Sequence, residues 1–409
     1  MELEIYRQVL LAGFAIAAVL GAVAYKTNFC TMGAVSDLVN MGDSGRMRAW
    51  VLGMAVAVLG VAVLEYLGLA DMSLTTSAET GRPPYRAAVF PWPRFVIGGL
   101  LFGVGMTMGS GCGNRTMVRI GGGNLKSVAV LLAMGVAGYL MIFTNFGYYV
   151  FLQWMQPAFL DLRDLGIADQ SLGAVVSGPL GLPGPAVTLA AGLLVAALML
   201  VWVLRSPDFL GNRDNVLAGV VLGLCVAAAW YVTAGSMGQG LIEEVAFLEG
   251  GEQPYGVGAQ SLTFVQPAAV LIRFLETGLA SRFMSFALVA GAGVIAGAFL
   301  YALVSRRLRV EWFRSLGDAG RHVAGGLLMG FGGVLSIGCT IGQAVSGVST
   351  LALGSFLTFA SICLGSALTM KAQYYRMVYE DEASWGSALV AGMADLRLIP
   401  GRWRRHDAV

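Results

Sequence analysis

Apolar runs separated by short polar punctuation dominate the chain. They fall near residues 9–24, 48–69, 95–110, 125–143, 186–204, 216–231, 285–303, 322–338 and 351–369. A helix needs about 20 apolar residues to cross a hydrocarbon core of roughly 30 Å. Several runs are shorter than that, notably the two that end at Cys112 and Cys339. The pattern predicts an all-α polytopic membrane protein with about nine transmembrane helices and some broken or re-entrant segments. Two connections, 144–185 and 232–284, are too long for simple hairpins. The second holds Glu243, Glu244, Glu249 and Glu252 and then "LTFVQPAAVLIRFL", which is too short and too proline-broken to span. That stretch and "KTNFCTMGAVSDLV" after the first run predict re-entrant or interfacial pieces. Irregular backbone survives at membrane depth only when buried in protein or lining a polar cavity.

Composition agrees with this class. Of 409 residues, 57% are hydrophobic and 12% charged, against about a quarter charged in soluble domains. The opening "MELEIYRQVL" has no small-residue cleavage site and runs directly into the first apolar stretch, so no cleavable signal peptide is expected.

An internal repeat organises the chain. "RFVIGGLLFGVGMTMGSGC" ends at Cys112 and "RHVAGGLLMGFGGVLSIGC" ends at Cys339. In one ungapped register Gly98, Gly99, Gly103, Gly105 and Gly111 match Gly325, Gly326, Gly330, Gly332 and Gly338, and Arg94 matches Arg321. This is an internal duplication. The glycines four apart suit close helix contact. The Gly-Cys step suits a helix break whose free N–H groups face an anion. The repeat divides a single membrane domain into a first half at 1–143, a connecting insertion and helix at 144–215, a second half at 216–370 and a cytoplasmic tail at 371–409. If the chain alternates, Arg94 and Arg321 lie on opposite sides, which makes the two units inverted pseudo-repeats.

The candidate chemistry lies in the cysteines. Cys225 and Cys363 sit inside unbroken apolar runs and read as small buried hydrophobes. Cys30, Cys112 and Cys339 each lie where the helical pattern is interrupted. No C-x-x-C pair marks a thiol-redox centre, which disfavours a membrane thiol-redox enzyme. Two histidines, His322 and His406, lie away from any zinc spacing, so no metal is expected, and no cofactor is implied. "GGGNLKS" lacks the full phosphate-loop pattern.

"KTNFCTMG", "GSGCGNRTMVRIGGGNLKS" and "SIGCTIGQAVSGVSTLALGS" resemble the three cysteine segments of the YeeE/YedE sulfur-transport family, whose defined members import thiosulfate. The resemblance covers most of the membrane core. It implies an hourglass of helices in pseudo-symmetric halves, with Cys30, Cys112 and Cys339 along a narrow central path. The chain exceeds the compact thiosulfate importers around 144–185 and 241–280, and some longer relatives are linked to selenium metabolism. A selenium compound or another sulfur species is therefore the alternative substrate. The resemblance also implies a cytoplasmic sulfur-carrier protein as a partner, for which the tail "RLIPGRWRRHDAV" offers a docking segment.

Thiosulfate is a dianion with a soft terminal sulfur, and its passage requires its hydration to be replaced. Thiols in series offer weak S–H donors, strong enough to admit the ion and weak enough to release it. They must be neutral, since a thiolate would repel the dianion. Arg115, Arg119 and Lys126 would offset charge near the inner part of the path, unless they serve only as cytoplasmic anchors. Asn114, Ser127, Gln343, Ser346 and Ser349 are candidate polar lining. The expected protein is thus a bacterial inner-membrane importer without chemistry of its own, and no nucleotide motif is visible.

Orientation follows from the basic residues. With segment 25–48 inside, 19 of the 26 Lys and Arg face the cytoplasm. Only Arg7, Arg82, Arg86, Arg94, Arg163, Arg273 and Arg282 lie outside. Setting aside Arg115, Arg119 and Lys126 as intramembrane still leaves 16 against 7. The N-terminus is then outside and the C-terminus inside. A reporter fused to the C-terminus should be active only if it is of a type that works in the cytoplasm; activity of a periplasmic reporter would reverse the topology.

Overall fold

The computed structural model describes residues 4–181, 184–248 and 253–404. Glu249, Glu252, Arg405 and His406 lie outside the described residues. The chain is helical almost throughout. The helices are α1 (Glu4–Lys26), α2 (Thr31–Ser36), α3 (Gly45–Tyr66), α4 (Trp92–Met108), α5 (Gly113–Gly121), α6 (Leu125–Phe143), α7 (Gln153–Met155), α8 (Leu172–Leu180), α9 (Gly184–Leu204), α10 (Pro207–Gly211) and α11 (Arg213–Ala234). After them come α12 (Ser236–Ala246), α13 (Gln266–Glu276), α14 (Phe286–Val304), α15 (Leu316–Leu335), α16 (Leu353–Tyr379) and α17 (Trp385–Asp395). Single wide turns follow α2 at Asp37–Met41 and precede α16 at Ile341–Gly347. A two-residue antiparallel pair, β1 (Val89–Phe90) with β2 (Leu160–Asp161), pins the long connection after α6 to the entry of α4.

Every apolar run of the sequence falls on a long helix. Among the described residues, eight helical stretches are long and apolar enough to cross a membrane. The remaining long helix, α15, is glycine-rich and carries Asp318, Arg321 and His322 in its first two turns, which lowers its mean hydropathy. The segments expected to be re-entrant are short. Residues of "LTFVQPAAVLIRFL" run without regular structure to Val265 and then form α13, eleven residues long. An eleven-residue helix reaches about 16 Å, half of a hydrocarbon core.

The repeat is visible as packing. A Cβ on Gly98 would stand 2.8 Å from the Gly332 carbonyl oxygen, and one on Gly105 would stand 2.7 Å from that of Gly325. Gly98 is the counterpart of Gly325, and Gly105 of Gly332. The beginning of α4 therefore meets the end of α15, and the end of α4 meets its beginning. The two matched helices are antiparallel and present the same glycine face to each other.

The other two glycine pairs face outward symmetrically. Gly99 and Gly103 receive α16, at Thr358–Ile362 and Ser366, while Gly326 and Gly330 receive α6, at Val130–Ala133 and Met134–Gly138. The exchange extends to the neighbours: α1 packs on α14 as α11 packs on α3, and α13 sits on α6 as α2 sits on α16. Close backbone approach replaces lipid contact with dispersion and allows no side chain between the helices. Overpacking such a contact costs roughly 1–3 kcal/mol or more. Gly98→Leu and Gly332→Leu should each lower the thermal unfolding midpoint in detergent by several degrees. Gly320→Ala, on the open side of α15 where a Cβ meets nothing within 4 Å, should hold or raise it. Equal midpoints for all three variants would contradict this packing.

Candidate functional site

Three helix breaks share one backbone plan. Asn28, Ser110 and Ile337 have φ of 54°, 60° and 63°, and each stands two residues before a cysteine. For β-branched Ile337 this left-handed conformation is strained by about 1–3 kcal/mol. Each cysteine then opens the next helical turn, its carbonyl accepting the first bond from Ala34, Thr116 or Gln343 at 3.0, 2.9 and 2.8 Å. Cys30 and Cys112 are the N-cap residues of α2 and α5, with extended backbone.

The breaks meet in the interior. The Thr31 hydroxyl donates to the Cys112 sulfur at 3.7 Å, and the Phe264 backbone N–H donates to the Cys339 sulfur at 3.3 Å. The Gly342 N–H also points at the Cys339 sulfur, at 3.4 Å. Gly113, next to Cys112, packs on the same Phe264, where a Cβ would stand 3.0 Å from the carbonyl oxygen. Relative exposures of 7%, 1% and 0% for Cys30, Cys112 and Cys339 place all three thiols inside the protein, and all three are free.

Around them the polar groups are incompletely satisfied. The Asn114 Oδ1, Thr340 Oγ1 and Gln343 Oε1 atoms are buried with no hydrogen-bond partner. A buried polar atom without a partner costs about 1–3 kcal/mol, and native interiors keep few of them. Gln343 is held by its other end, Nε2 donating to the Ser336 carbonyl at 2.5 Å. These three atoms belong to residues one to four positions after Cys112 or Cys339.

Two cavities approach the cysteines from opposite ends. One, of about 200 Å³, is lined by Arg82, Pro83, Tyr255, Thr263, Gln266 and the break residues Ile337 and Gly338. The other, of about 440 Å³, is lined by Lys26, Asn28, Arg115, Arg119, Asn124, Arg307, Arg309 and Glu311. Tyr25 and Lys26, at the end of α1, border the larger cavity. Tyr255, which lines the smaller one, also shares a narrow hollow with Tyr6 near the start of α1. The two cavities thus lie toward opposite ends of α1. Five cations against one carboxylate make the larger cavity strongly positive.

The expected site residues divide into two groups. Asn114 and Gln343 sit beside the thiols with a free oxygen each. Arg115 and Arg119 line the basic cavity and also brace two breaks: Arg115 bonds the Asn28 side chain, and Arg119 donates to the Ser110 carbonyl at 2.8 Å. Lys126 is engaged elsewhere, paired with Asp318 at 2.8 Å. Ser127 closes the first turn of α6, its N–H and hydroxyl both donating to Asn124 Oδ1. Ser346 donates to the Leu262 carbonyl at 2.8 Å, and Ser349 donates to Ser346 while accepting from the Trp230 indole at 3.1 Å.

Those last contacts belong to a brace on the wide turn at Ile341–Gly347. The Tyr85 hydroxyl donates to the Gly342 carbonyl at 2.6 Å, and Arg86 donates to the Thr350 carbonyl while forking onto Glu65 at 2.5 and 2.8 Å. Cys225 donates to the Ile16 carbonyl at 3.6 Å, and Cys363 packs beside Val35, Ala367 and Met370. Among the described residues no cluster of three His, Cys, Asp or Glu could hold a metal ion.

Sequence reasoning overlooked Thr31, Thr340, Arg307 and Arg309. A signal for the threonines was present: "CTMG" at Cys30–Gly33 and "CTIG" at Cys339–Gly342 share a Cys-Thr-x-Gly pattern. In the sequence Arg307 and Arg309 count only toward orientation. Their loop reaches the cavity because the Arg309 N–H bonds the Gly122 carbonyl at 3.1 Å and Leu125 N–H bonds Glu311 at 3.0 Å.

Comparison with known proteins adds an independent finding. The chain is 26% identical over 353 residues to the thiosulfate transporter TsuA of Escherichia coli, covering 82% of this chain and 86% of that one. It is 23% identical over 354 residues to the thiosulfate transporter TsuA of Spirochaeta thermophila, covering 87% and 96%. The profile of a family described as sulphur transport matches residues 26–368. With most of its length inside that match, and with its three cysteine breaks and membrane-length helices, this chain belongs to the sulphur-transport family.

Proposed function

We propose that the protein imports thiosulfate, or a small anion very like it, through a path that passes Cys339, Cys112 and Cys30 in turn. The observation that carries this reading is the placement of three free, buried thiols between two cavities that open at opposite ends of the helices. In this reading the protein resides in the bacterial inner membrane with its C-terminus in the cytoplasm. The cavity beside Arg82 is then the outer mouth and the basic cavity the inner one. The relatives' names supply the substrate class.

The chemistry of the junction fits a dianion with one soft end. Its oxygens take strong donors, and its softer terminal sulfur takes weak ones. Thiols give S–H···S contacts to the sulfur, while backbone N–H groups at the short helix starts and the amides of Asn114 and Gln343 serve the oxygens. Weak successive sites favour release. Arg115 and Arg119 lie one step inward, where positive potential draws the ion out of the narrow part. In this account no bond of the substrate is broken, so the protein acts as a carrier and not as an enzyme. A cytoplasmic sulfur-carrier protein remains a natural recipient at the inner face.

Uptake of radiolabelled thiosulfate into vesicles, with sulfate and selenite as competitors, tests the assignment. Thiosulfate should accumulate and sulfate should compete poorly; accumulation of selenite alone would contradict the substrate. Cys112→Ala and Cys339→Ala should each reduce uptake by tenfold or more, a loss of roughly 1.4 kcal/mol, with normal amounts of inserted protein. Ser replaces the donor but offers a harder, more hydrated oxygen, so it should rescue poorly. Cys225→Ala and Cys363→Ala should leave uptake within about twofold, since both thiols lie inside unbroken helices, Cys225 on the Ile16 carbonyl and Cys363 beside Val35 and Met370. Parent rates in both of the first two variants would remove the thiol relay.

A further inference from the structure

The two repeat units are alike where they pack and unlike at one place. Each of α4 and α15 stops at a break, and the helices flanking it run on past its end. This leaves a wedge beneath each helix end. Beneath α15 the wedge is filled by the chain itself: the rings of Phe146 and Phe151, from the connection after α6, stand 5.5 and 6.2 Å from that of Phe331. The counterpart of Phe331 is Val104. Beneath α4 the wedge is open, a groove of about 970 Å³ whose apolar wall includes Val104, Met108, Met377 and Trp385. Arg321 and Arg376 also line it, one from each flanking helix.

The arginines repeat the asymmetry. Arg94 donates to the Leu335 carbonyl at 3.1 Å and so closes the end of α15. Its counterpart Arg321 is exposed, and among the described residues it has no hydrogen-bond or ion-pair partner. Arg376 lies over the Trp385 ring at 4.8 Å, which holds its guanidinium at the rim. The one acid in the groove, Asp318, is already engaged by Lys126 at 2.8 Å and by His322 at 3.1 Å. Two guanidinium groups above an apolar slot, with a tryptophan at the edge, match the two-part character of a lipid with a negative headgroup.

We infer that the groove between α4, α15, α16 and α17 binds an anionic phospholipid, its phosphate on Arg321 and Arg376 and an acyl chain against Val104 and Met108. The lipid takes the place that Phe146 and Phe151 occupy in the other unit. By the distribution of basic residues this groove faces the inner leaflet, where anionic headgroups attract basic groups.

Native mass spectrometry of the full chain, released from mixed vesicles of phosphatidylglycerol and phosphatidylcholine, tests the inference. The parent should retain phosphatidylglycerol over phosphatidylcholine. The Arg321→Gln, Arg376→Gln double variant should lose that preference about tenfold, the scale of one charge-assisted hydrogen bond. Val104→Phe keeps both arginines and fills the slot as Phe331 does, and it should retain neither lipid. Millimolar inorganic phosphate should not displace the lipid, because the slot holds its chain. Equal retention of the two lipids by the parent, unchanged retention in both variants, or displacement by phosphate alone would each overturn the inference.

Discussion

The contact of Gly98 and Gly105 with Gly332 and Gly325 sets the geometry on which everything else rests. Any side chain at these positions would hold α4 and α15 apart, because a Cβ there already meets backbone atoms. With glycine, two antiparallel helices touch along their backbones and end on opposite sides of the protein's middle. Each end is a break, and each break places a cysteine. The pair thus fixes Cys112 and Cys339 relative to one another before any polar contact is considered. The outward glycines then bring in α16 and α6, whose own short leading segments carry the rest of the junction.

Having a polar junction inside an apolar protein has an energetic cost. Ile337 sits in a strained conformation, and Asn114, Thr340 and Gln343 each leave a polar atom without a partner. A chain selected for stability alone would satisfy or delete these groups. Their surroundings are correspondingly firm: Tyr85, Arg86 and Trp230 tie the wide turn at Ile341–Gly347 to the neighbouring loop and helix. Buried Arg86 also forks onto the half-buried Glu65, which fixes the guanidinium that holds the Thr350 carbonyl.

Much of this was legible in the residues. The glycine register could be read because a backbone contact admits one residue type, whatever its partner. The breaks could be read because Cys30, Cys112 and Cys339 interrupt otherwise continuous apolar runs. What could not be read depends on distant partners. Lys126 resembles a path cation until Asp318, far along the chain, takes it up. Ser127 resembles lining, but the same hydroxyl chemistry closes a helix turn on Asn124. The basic cavity draws on residues near 26, 115 and 308, and nothing local links them.

Site-resolved alkylation tests the central claim most directly. A small permeant thiol reagent is applied to the protein in vesicles, and the modification rate of each cysteine is followed by mass spectrometry with and without thiosulfate. If the ion passes the junction, thiosulfate slows modification of Cys30, Cys112 and Cys339, equimolar sulfate does so much less, and Cys225 and Cys363 react at one rate throughout. Equal rates at Cys112 and Cys339 with and without saturating thiosulfate would contradict a path past these thiols.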